Sequence, residues 1–305
     1  MPRSVQFSEY GDTDVLRVVD VHALSPGPGQ VRIVVRAAGI NPVDWKTMRG
    51  DMREPFPLTL PMGLGTDVSG VVDQVGAAVT EFGVGDAVMG ASLTTSFAEF
   101  ALADRASLIK KPAAIDWESA ASLAGGGGTA YTALKKLRVH SADTLLIHAA
   151  AGGVGTFAVQ LAVARGARVI GTASQRNFDY LRSIGAEPLA YGDGLLDRVR
   201  TIAPRGVDAV LDASGRGEVP LSIVLAGGPE RVLTLVAFDA AATGIQVHAG
   251  GSGSELGPAL REIASLIERG RLTVPIWRTY PLARVAAALG ASQSGHLHGK
   301  IVVLP

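Results

Sequence analysis

The sequence predicts an α/β protein in which a doubly wound parallel sheet is combined with a second, β-rich domain. Residues 1 to about 115 contain short apolar runs separated by Gly and Pro, a pattern typical of β-rich domains. From about Trp117 onward, stretches of helical length alternate with short apolar runs, as in a parallel sheet covered by helices. After Gly270 the chain becomes β-like again and ends in the apolar run Lys300-Ile-Val-Val-Leu.

The composition is that of an ordinary globular protein, with 305 residues of which 47% are hydrophobic, long enough for two domain cores. Its 28 basic and 28 acidic residues cancel, and no run of like charges offers a patch for nucleic acid or a membrane, so we expect small-molecule partners. The chain has no cysteine, which excludes disulfides, thiolate metal ligands and a cysteine nucleophile. It also lacks an apolar signal segment and any apolar stretch of about 18 residues, so we expect a cytoplasmic protein.

The individual elements follow from the apolar runs and from the Gly and Pro residues between them. In the first part we predict strands at residues 31–35, 68–75, 87–89 and 97–102. In the second part we predict strands at residues 145–147, 168–172, 188–191, 207–211, 232–236 and 245–248, with helices at 156–165 and 256–269. The predicted domains are residues 1–117, residues 118–269, and a tail of residues 270–305 that returns to the first domain.

The most informative segment, residues 143–173, reads as a strand, a glycine-rich turn, a helix and a second strand. Without side chains, Gly152 and Gly153 let the backbone approach a pyrophosphate, and Gly155 lets the helix pack on its strand. The free N–H groups and the dipole at the helix N-terminus favour negative charge. The segment therefore predicts a dinucleotide site, although Ala150 replaces the first glycine of the usual fingerprint. The residues expected at the pyrophosphate are Gly152, Gly153, Val154 and Gly155.

Five segments carry a resemblance to a known family: GINPVDWK (39–46), GTDVSGVV (65–72), FGVGDAVMG (82–90), TAYTAL (129–134) and AAAGGVG (149–155). Together and in this order they resemble the medium-chain dehydrogenase/reductase superfamily, and most closely its zinc-independent quinone oxidoreductase branch. The resemblance covers nearly the whole chain. It implies a GroES-like catalytic domain made from both chain ends and a Rossmann domain for the cofactor, with Thr129 at the cofactor site. It also implies a homodimer built through residues 232–248.

The metal ligands of the zinc-dependent members of that superfamily are missing. Those proteins place a cysteine where this chain has Asn41, and a Gly-His-Glu where it has Gly65-Thr66-Asp67. With no cysteine elsewhere, neither a catalytic nor a structural zinc is expected. His296 and His298 are interpreted as surface residues, because two imidazoles without a nearby carboxylate make a poor metal site. We therefore predict chemistry that needs no metal.

The residues after the second strand of the nucleotide-binding domain favour NADPH. Proteins that prefer NAD carry an Asp or Glu about 20 residues past the glycines, whereas this chain reads Gly171-Thr-Ala-Ser-Gln-Arg-Asn there. Ser174 and Arg176 offer donors where a 2′-phosphate would lie, and a guanidinium binds phosphate oxygens in pairs. By resemblance, Tyr191 lies beside the same phosphate. The alternative is that Arg176 is a solvated residue at a helix start and Tyr191 an aromatic at a strand edge.

Hydride transfer to a conjugated acceptor is the chemistry that remains, because no Ser-His-Asp set and no Gly-x-Ser-x-Gly turn is apparent. A quinone or an α,β-unsaturated carbonyl needs neither a metal nor a strong acid, so the protein has mainly to orient it. By resemblance, Asn41 lies near the nicotinamide and bonds to the substrate or the cofactor; alternatively, it caps the turn before Pro42. Lys46 stands where many quinone oxidoreductases have a tyrosine. Trp45 is either a flat wall for the substrate or a core residue.

Other interpretations stay open beside this one. The same motifs fit an enoyl reductase that acts on a specialised metabolite, and they also fit a non-catalytic NADPH-binding protein. Tyr131 and Lys135 have the Tyr-x-x-x-Lys spacing of short-chain dehydrogenases, but they precede the glycine turn, so we interpret the match as chance. The four glycines at 125–128 predict either a close approach of the backbone at the domain junction or a flexible hinge.

Overall fold

The computed structural model describes residues 1–53, 58–251, 253–295 and 297–305. Contacts divide the chain into two compact units. Unit 1 consists of Met1–Gly125, Gly253–Glu268 and Val274–Pro305, and unit 2 consists of Gly126–Ser252 and Arg269–Thr273.

The helices and strands follow one another along the chain in three blocks. The first block of unit 1 contains β1 (Arg3–Phe7), β2 (Arg17–Asp20), β3 (Gln30–Gly39), α1 (Pro42–Arg49), β4 (Met62–Gly63), β5 (Asp67–Val75), β6 (Ala87–Ala91), β7 (Phe100–Asp104), β8 (Leu108–Lys110) and α2 (Trp117–Ala120). Unit 2 contains α3 (Gly128–Lys136), β9 (Thr144–His148), α4 (Gly155–Ala164), β10 (Arg168–Ala173), α5 (Phe178–Ser183), β11 (Ala186–Ala190), α6 (Leu195–Ile202), β12 (Ala209–Asp212), α7 (Val219–Ala226), β13 (Val232–Thr234) and β14 (Gln246–Val247). The last block of unit 1 contains α8 (Leu256–Glu268), β15 (Ile276–Pro281), α9 (Val285–Ser294) and β16 (Lys300–Leu304).

Unit 2 is built on a parallel sheet of six strands in the order β11-β10-β9-β12-β13-β14. This is the 3-2-1-4-5-6 order of a doubly wound dinucleotide-binding fold, whose ligands lie at the carboxyl ends of the strands near the switch point. The central strand β9 is apolar because helices cover both faces of such a sheet, and Leu145, Leu146 and Ile147 are fully buried. The predicted Rossmann sheet is therefore confirmed, and so is the helix predicted at 156–165, which is α4.

Unit 1 combines a three-stranded sheet, β2-β1-β4, with a larger sheet of seven strands. In the larger sheet, β3 pairs on one edge with β5, and on the other with β7 along its first half and with β16 at its end. The pairing of β16 with β3 confirms that the C-terminal tail returns to the first domain. The core between these elements contains Val5, Ile33, Val68, Leu289 and Ile301, all at most 2% exposed.

The observed units differ from the predicted domains in the placement of helix α8. We predicted residues 118–269 as one domain, whereas residues 253–268 group with unit 1 because α8 packs against β8 and β6. Its apolar stripe includes Leu260 and Ile263, both fully buried. Amphipathic periodicity predicted this helix but carries no information about which sheet it covers. None of the described helices combines the length and the apolar composition that crossing a membrane would need.

Candidate active site and cofactor site

The glycine turn of unit 2 connects β9 to α4 at the carboxyl edge of the sheet. At Gly155, an added Cβ would lie 2.3 Å from the carbonyl oxygen of Ala149 and 2.7 Å from the Cα of Ala150, so only glycine fits there. At Gly152, an added Cβ would meet only the Ala149 oxygen, at 3.2 Å. Gly155 is therefore needed for the turn itself, whereas Gly152 leaves an open backbone surface.

The replacement of the first fingerprint glycine by Ala150 is compensated on the neighbouring strand. Ala150 is fully buried, and a Cβ added to Gly171 of β10 would lie 2.7 Å from the Ala150 Cβ. Because Gly171 has no side chain, the methyl group of Ala150 occupies that space. The turn thus keeps its shape, and Gly152, Gly153 and Val154 stay partly exposed ahead of α4. An uncovered glycine backbone at a helix N-terminus fits the pyrophosphate of a dinucleotide.

A hydrogen-bond network fixes the strand ends beneath this edge. His148, at the end of β9, is fully buried; its Nε2 lies 3.0 Å from the Ser222 hydroxyl and its Nδ1 3.4 Å from that of Thr172. The Ser222 hydroxyl donates to the Glu218 carbonyl at 2.7 Å. Burial lowers the pKa of His148, so the imidazole is neutral at pH 7. A neutral ring can join two hydroxyl groups without placing a cation under the turn.

The residues predicted at the adenosine phosphate lie along this same edge. Ser174 directly follows β10, and Arg176 is exposed in the short 3-10 helix Gln175–Asn177 that comes next. Tyr191 directly follows β11 and is 39% exposed. The structure brings these residues to neighbouring strand ends, as the sheet order requires, but it does not test their contact with a ligand.

Arg216 is a residue of this edge that sequence reasoning missed. Its guanidinium lies 4.5 Å from the centre of the Tyr191 ring, a distance typical of cation–π contacts. The strands that precede the two residues, β12 and β11, are three positions apart in the sheet, or about 14 Å. The contact therefore crosses the strand ends above β9 and β10. Nothing in the local sequence around Arg216 signals such a reach.

Thr129, the other predicted cofactor residue, is buried near the start of α3. Its Oγ1 accepts a hydrogen bond from the N–H of Gly251 at 3.3 Å. Tyr131 and Lys135 lie one turn apart on the same helix, as their spacing requires. The guanidinium of Arg165 lies 5.3 Å from the Tyr131 ring, which gives this phenol a packing partner.

Replacing Arg176 with Ala is expected to weaken NADPH binding and to leave NADH binding nearly unchanged. A charge-assisted contact to the 2′-phosphate contributes about 1.5 to 3 kcal/mol, or roughly ten- to a hundredfold in affinity. Titration of nucleotide fluorescence measures both dissociation constants. Arg200→Ala is the matched control, because Arg200 is exposed on α6 of the same unit. An equal loss for both nucleotides would show that Arg176 has a structural role.

In unit 1, Asn41 stands between β3 and α1, and the structure fixes its side chain. Pro42 opens the helix, and the N–H of Asp44 donates to the Asn41 carbonyl at 3.0 Å, so Asn41 does hold the helix-capping position. Its side chain has other partners. Its Oδ1 accepts from the Lys300 ammonium at 2.6 Å, and its amide donates to the carboxylate of Asp67.

Asp67 and Lys300 are the functional candidates that sequence reasoning missed. Both side chains are almost completely buried, and the Lys300 Nζ lies 3.8 Å from the Asp67 Oδ2. Burial raises the pKa of Asp67 and lowers that of Lys300, while the opposite charge of each partner acts in the other direction. The resemblance assigned Asp67 only to the position of a lost zinc-site residue, and Lys300 read as the start of an apolar strand. The sequence showed where each of the two residues stands, but it gave no signal that they are in contact.

Asp44 is a second buried carboxyl in this cluster. Its Oδ2 accepts from the N–H of Asn41 at 2.7 Å, and the N–H of Gly65 also donates to it. Burial raises the pKa of Asp44 to about 7, with a further increase from the charge of Asp67, whereas the two N–H groups and Lys300 act against it. Asp44 therefore changes its charge near neutral pH.

We expect this carboxyl to make stability fall as the pH rises. The pKa of Asp44 is about 7 in the folded protein, against an ordinary aspartate pKa of 3.8, so the folded state holds its proton more tightly. Stability is then lost between about pH 4 and pH 7 and levels off above. In Asp44→Asn this loss disappears, and the melting temperature of the variant relative to wild type should rise across that range.

Asp86→Asn is the control for this experiment, because the hydrogen bond from Lys110 lowers the pKa of Asp86. Ionised Asp86 stabilises the folded state above its unfolded pKa, so the melting temperature of Asp86→Asn relative to wild type should fall as the pH rises from acid. If the Asp86→Asn difference falls with pH while the Asp44→Asn difference is flat, the pKa of Asp44 is not raised in the folded protein.

Trp45 and Lys46 follow on α1. The Trp45 ring packs against the unit 1 core, and its Nε1 is buried without a hydrogen-bond partner among the described residues. These contacts fit the core interpretation of Trp45 better than that of an open substrate wall. The Lys46 ammonium is partly exposed and lies 5.7 Å from the centre of the Trp45 ring. Within the part of the chain that the structure describes, no hydrogen bond or ion pair joins Trp45 or Lys46 to the Asn41 cluster.

Gly125 explains part of the glycine run before α3. A Cβ at this position would lie 2.6 Å from the Nδ2 of Asn41 and 2.8 Å from the Oδ1 of Asp67. The N–H of Gly125 donates to the same Asp67 carboxylate. The close-approach interpretation of the run is thus confirmed at this residue.

The described residues contain no group of three His, Cys, Asp or Glu side chains that is arranged to hold a metal ion. Of the two histidines weighed as ligands, His298 lies in a bend outside the strands, and His296 lies outside the described residues. The resemblance predicts that Asn41, Thr66 and Asp67 stand at former zinc-ligand positions, and two of these three belong to the cluster around Lys300.

Two family models match the chain, one described as "Alcohol dehydrogenase GroES-like domain" over residues 27–163 and one as "Zinc-binding dehydrogenase" over residues 184–303. A quinone oxidoreductase of Pseudomonas aeruginosa is 32% identical over 333 residues, with all of both chains covered. A chloroplastic NADPH-dependent alkenal/one oxidoreductase of Arabidopsis thaliana is also 32% identical, with 98% of this chain and 78% of that protein covered. The solved structure of the Escherichia coli quinone oxidoreductase complexed with NADPH has a TM-score of 0.86 at 26% identity, with 99% of this chain and 100% of that chain covered.

Proposed function

Because the chain belongs to the medium-chain dehydrogenase/reductase superfamily and to its quinone oxidoreductase branch, we propose that it transfers hydride from NADPH to a quinone or an α,β-unsaturated carbonyl. The cofactor is NADPH. The observation that carries the proposed acceptor class is the environment of Asn41, a neutral amide held by buried charges where zinc enzymes have a metal ligand.

Bound NADPH supplies the hydride, and the protein's own groups bind the cofactor and orient the acceptor. The glycine backbone from 152 to 155 holds the pyrophosphate, while Ser174, Arg176 and Tyr191 receive the phosphorylated ribose. One N–H of the Asn41 amide is engaged by Asp67. The other is available to the acceptor oxygen, where negative charge develops as an enone becomes an enolate or a quinone is reduced.

Conjugation explains why this arrangement is sufficient. A saturated ketone places the full negative charge of the reduced product on one oxygen and needs a metal or an acid there. An enone spreads this charge, and a quinone gains aromaticity, so a neutral donor is enough. Lys46, partly exposed near the start of α1, is the nearest candidate in sequence for a further donor to the substrate.

We also propose a cytoplasmic homodimer. The strand β14 lies at the edge of the unit 2 sheet, where a second copy can add its own edge strand. The residues proposed for the contact are 232–248, which include β13 and β14.

The test of the function is NADPH consumption against matched acceptors. We expect steady oxidation with a small quinone and with an enone, and at least about tenfold lower kcat/KM with the corresponding saturated ketone, because a barrier difference of 1.4 kcal/mol already gives that ratio. Product analysis identifies the bond reduced. Rapid reduction of the saturated ketone, or efficient oxidation of a simple alcohol with NADP⁺, would contradict the proposal.

The same panel separates the two alternatives. A non-catalytic protein would bind NADPH and consume none with any acceptor. An enoyl reductase of specialised metabolism would reduce the enone and leave quinones unchanged. Turnover with a small quinone, alone or together with an enone, favours the proposal over both alternatives.

A further inference from the structure

The topology of unit 1 brings two buried charges to one amide. Asn41 follows the end of β3, and the last residue of that strand, Gly39, is paired with Asp67 of β5 on one side and with Val302 of β16 on the other. Lys300 starts β16, and its ammonium donates to the Ile40 carbonyl at 2.9 Å and to the Asn41 Oδ1 at 2.6 Å. The flanking strands thus deliver an ammonium and a carboxylate to the same side chain.

Stability alone does not account for this pair. Desolvation of two charges offsets most of their attraction, and apolar residues of similar volume often replace a buried ion pair without loss. The separation of 3.8 Å is long for an ion pair, and the Asp67 Oδ2 has no hydrogen-bond partner among the residues that the structure describes. An ion pair with incomplete hydrogen bonding is a poor choice for stability, but its charges have well-defined positions.

We propose that Lys300 and Asp67 are positioning residues that hold the Asn41 amide in one orientation for the reaction. An ammonium has only hydrogens to offer and a carboxylate only lone pairs. Rotating the amide by 180° would set its NH₂ against Lys300 and its oxygen against Asp67, and both contacts would become repulsive. The orientation is therefore determined by charge, and the pair engages one N–H and the oxygen of the amide.

The ammonium also changes the strength of the free donor. Hydrogen bonds in a chain polarise one another, and a cation on the amide oxygen draws electron density away from the nitrogen. The free N–H of Asn41 then donates more strongly to a developing oxygen charge than an isolated amide would. Lys300 does not contact the acceptor in this proposal and acts on it only through Asn41. This part of the inference rests on the proposed function, whereas the fixed orientation does not.

The orientation can be measured without any turnover. The chain has only two asparagines, Asn41 and Asn177, so selective ¹⁵N-asparagine labelling yields two side-chain amides. Asn177 is the internal reference, because its amide makes a long contact to the Ser174 hydroxyl, at 3.4 Å. We expect the Asn41 NH₂ protons to exchange with solvent at least tenfold more slowly than those of Asn177. In Lys300→Met/Asp67→Asn, in which the substituted position 67 adds a third labelled amide, the protection of the Asn41 protons should fall at least tenfold.

Kinetics and thermal unfolding of the same variants separate positioning from a structural role. Lys300→Met leaves Asp67 buried without its cation and should lower the melting temperature, while the double variant removes both charges and should regain most of it. Positioning predicts that kcat stays at least tenfold below wild type in both, with NADPH affinity within twofold. In an Asn41→Ala background, Lys300→Met should lower kcat by less than twofold. Lys110→Met, which breaks the exposed ion pair with Asp86, is the control and should leave kcat unchanged.

The outcomes are distinct. Recovery of kcat together with stability in the double variant would show that the pair is only structural and would overturn the inference. Unchanged amide exchange in that variant would overturn it as well. If the single variant does not fold, the double variant carries both measurements. If the wild-type protein reduces neither quinones nor enones while the Asn41 amide is protected as expected, the proposed function fails and the fixed orientation stands.

Discussion

Replacing Gly155 with Ala is expected to prevent the glycine turn of unit 2 from closing. The new Cβ would lie 2.3 Å from the Ala149 oxygen, and 2.7 and 2.8 Å from the Cα and carbonyl carbon of Ala150. All three are backbone atoms, so the steric clashes can be relieved only by moving α4 away from β9. Overpacking of this kind costs about 1–3 kcal/mol or more, against a gain of about 0.4–1 kcal/mol from the stiffer unfolded chain.

Chemical unfolding followed by circular dichroism measures this loss, and NADPH titration should show no saturable binding. Gly152→Ala is the matched control in the same turn, because its Cβ would meet only the Ala149 oxygen, at 3.2 Å. We expect that variant to unfold near the wild-type midpoint while binding NADPH more weakly, since a methyl group would stand where the pyrophosphate approaches. If Gly155→Ala unfolds like wild type, the observed packing of the turn is wrong.

The second large effect is expected at Gly125. An Ala side chain there would lie 2.6 Å from the Asn41 Nδ2 and 2.8 Å from the Asp67 Oδ1, so the amide and the carboxylate must move apart. The displaced Asn41 no longer presents its free N–H in the fixed orientation. We expect kcat to fall on the order of ten- to a hundredfold, which corresponds to about 1.4 to 2.7 kcal/mol of transition-state stabilisation.

Gly290→Ala is the control for that variant. Gly290 lies in α9 of the same unit, and an added Cβ there would have nothing within 4 Å. Because glycine in a helix interior is less favourable than alanine by about 0.5–1 kcal/mol, this change should raise stability and leave kcat unchanged. Wild-type turnover in Gly125→Ala would show that Asn41 does not need its observed position.

The cofactor half of the site was predictable because its signals are local. A short apolar run, three glycines and a helix occupy consecutive positions, and each element has its own periodicity. Even so, the sequence left Ala150 as an unexplained departure. The turn can hold the Ala150 side chain because Gly171, on the neighbouring strand, has no side chain facing it. Arg216 was missed for the same reason, since its partner Tyr191 belongs to another strand end.

In unit 1, the residues of the Asn41 cluster can be read from the sequence, but only the tertiary structure shows that they are in contact. Asn41 was a candidate from the start, but Lys300, 259 positions away, read only as the start of an apolar strand. Asp67 read as a lost metal position, and Gly125 as one of four glycines in a row.

The sequence by itself determined the fold class, the six-stranded parallel sheet, the glycine turn and the return of the C-terminal tail, because short-range periodicity and turn chemistry encode them. Only the tertiary structure decided which sheet α8 covers and which charges hold Asn41. An isolated ammonium or carboxylate is strongly disfavoured in an apolar interior. The pairing of β3 with both β5 and β16 brings Lys300 and Asp67 together at the Asn41 amide, and this proximity makes their burial possible.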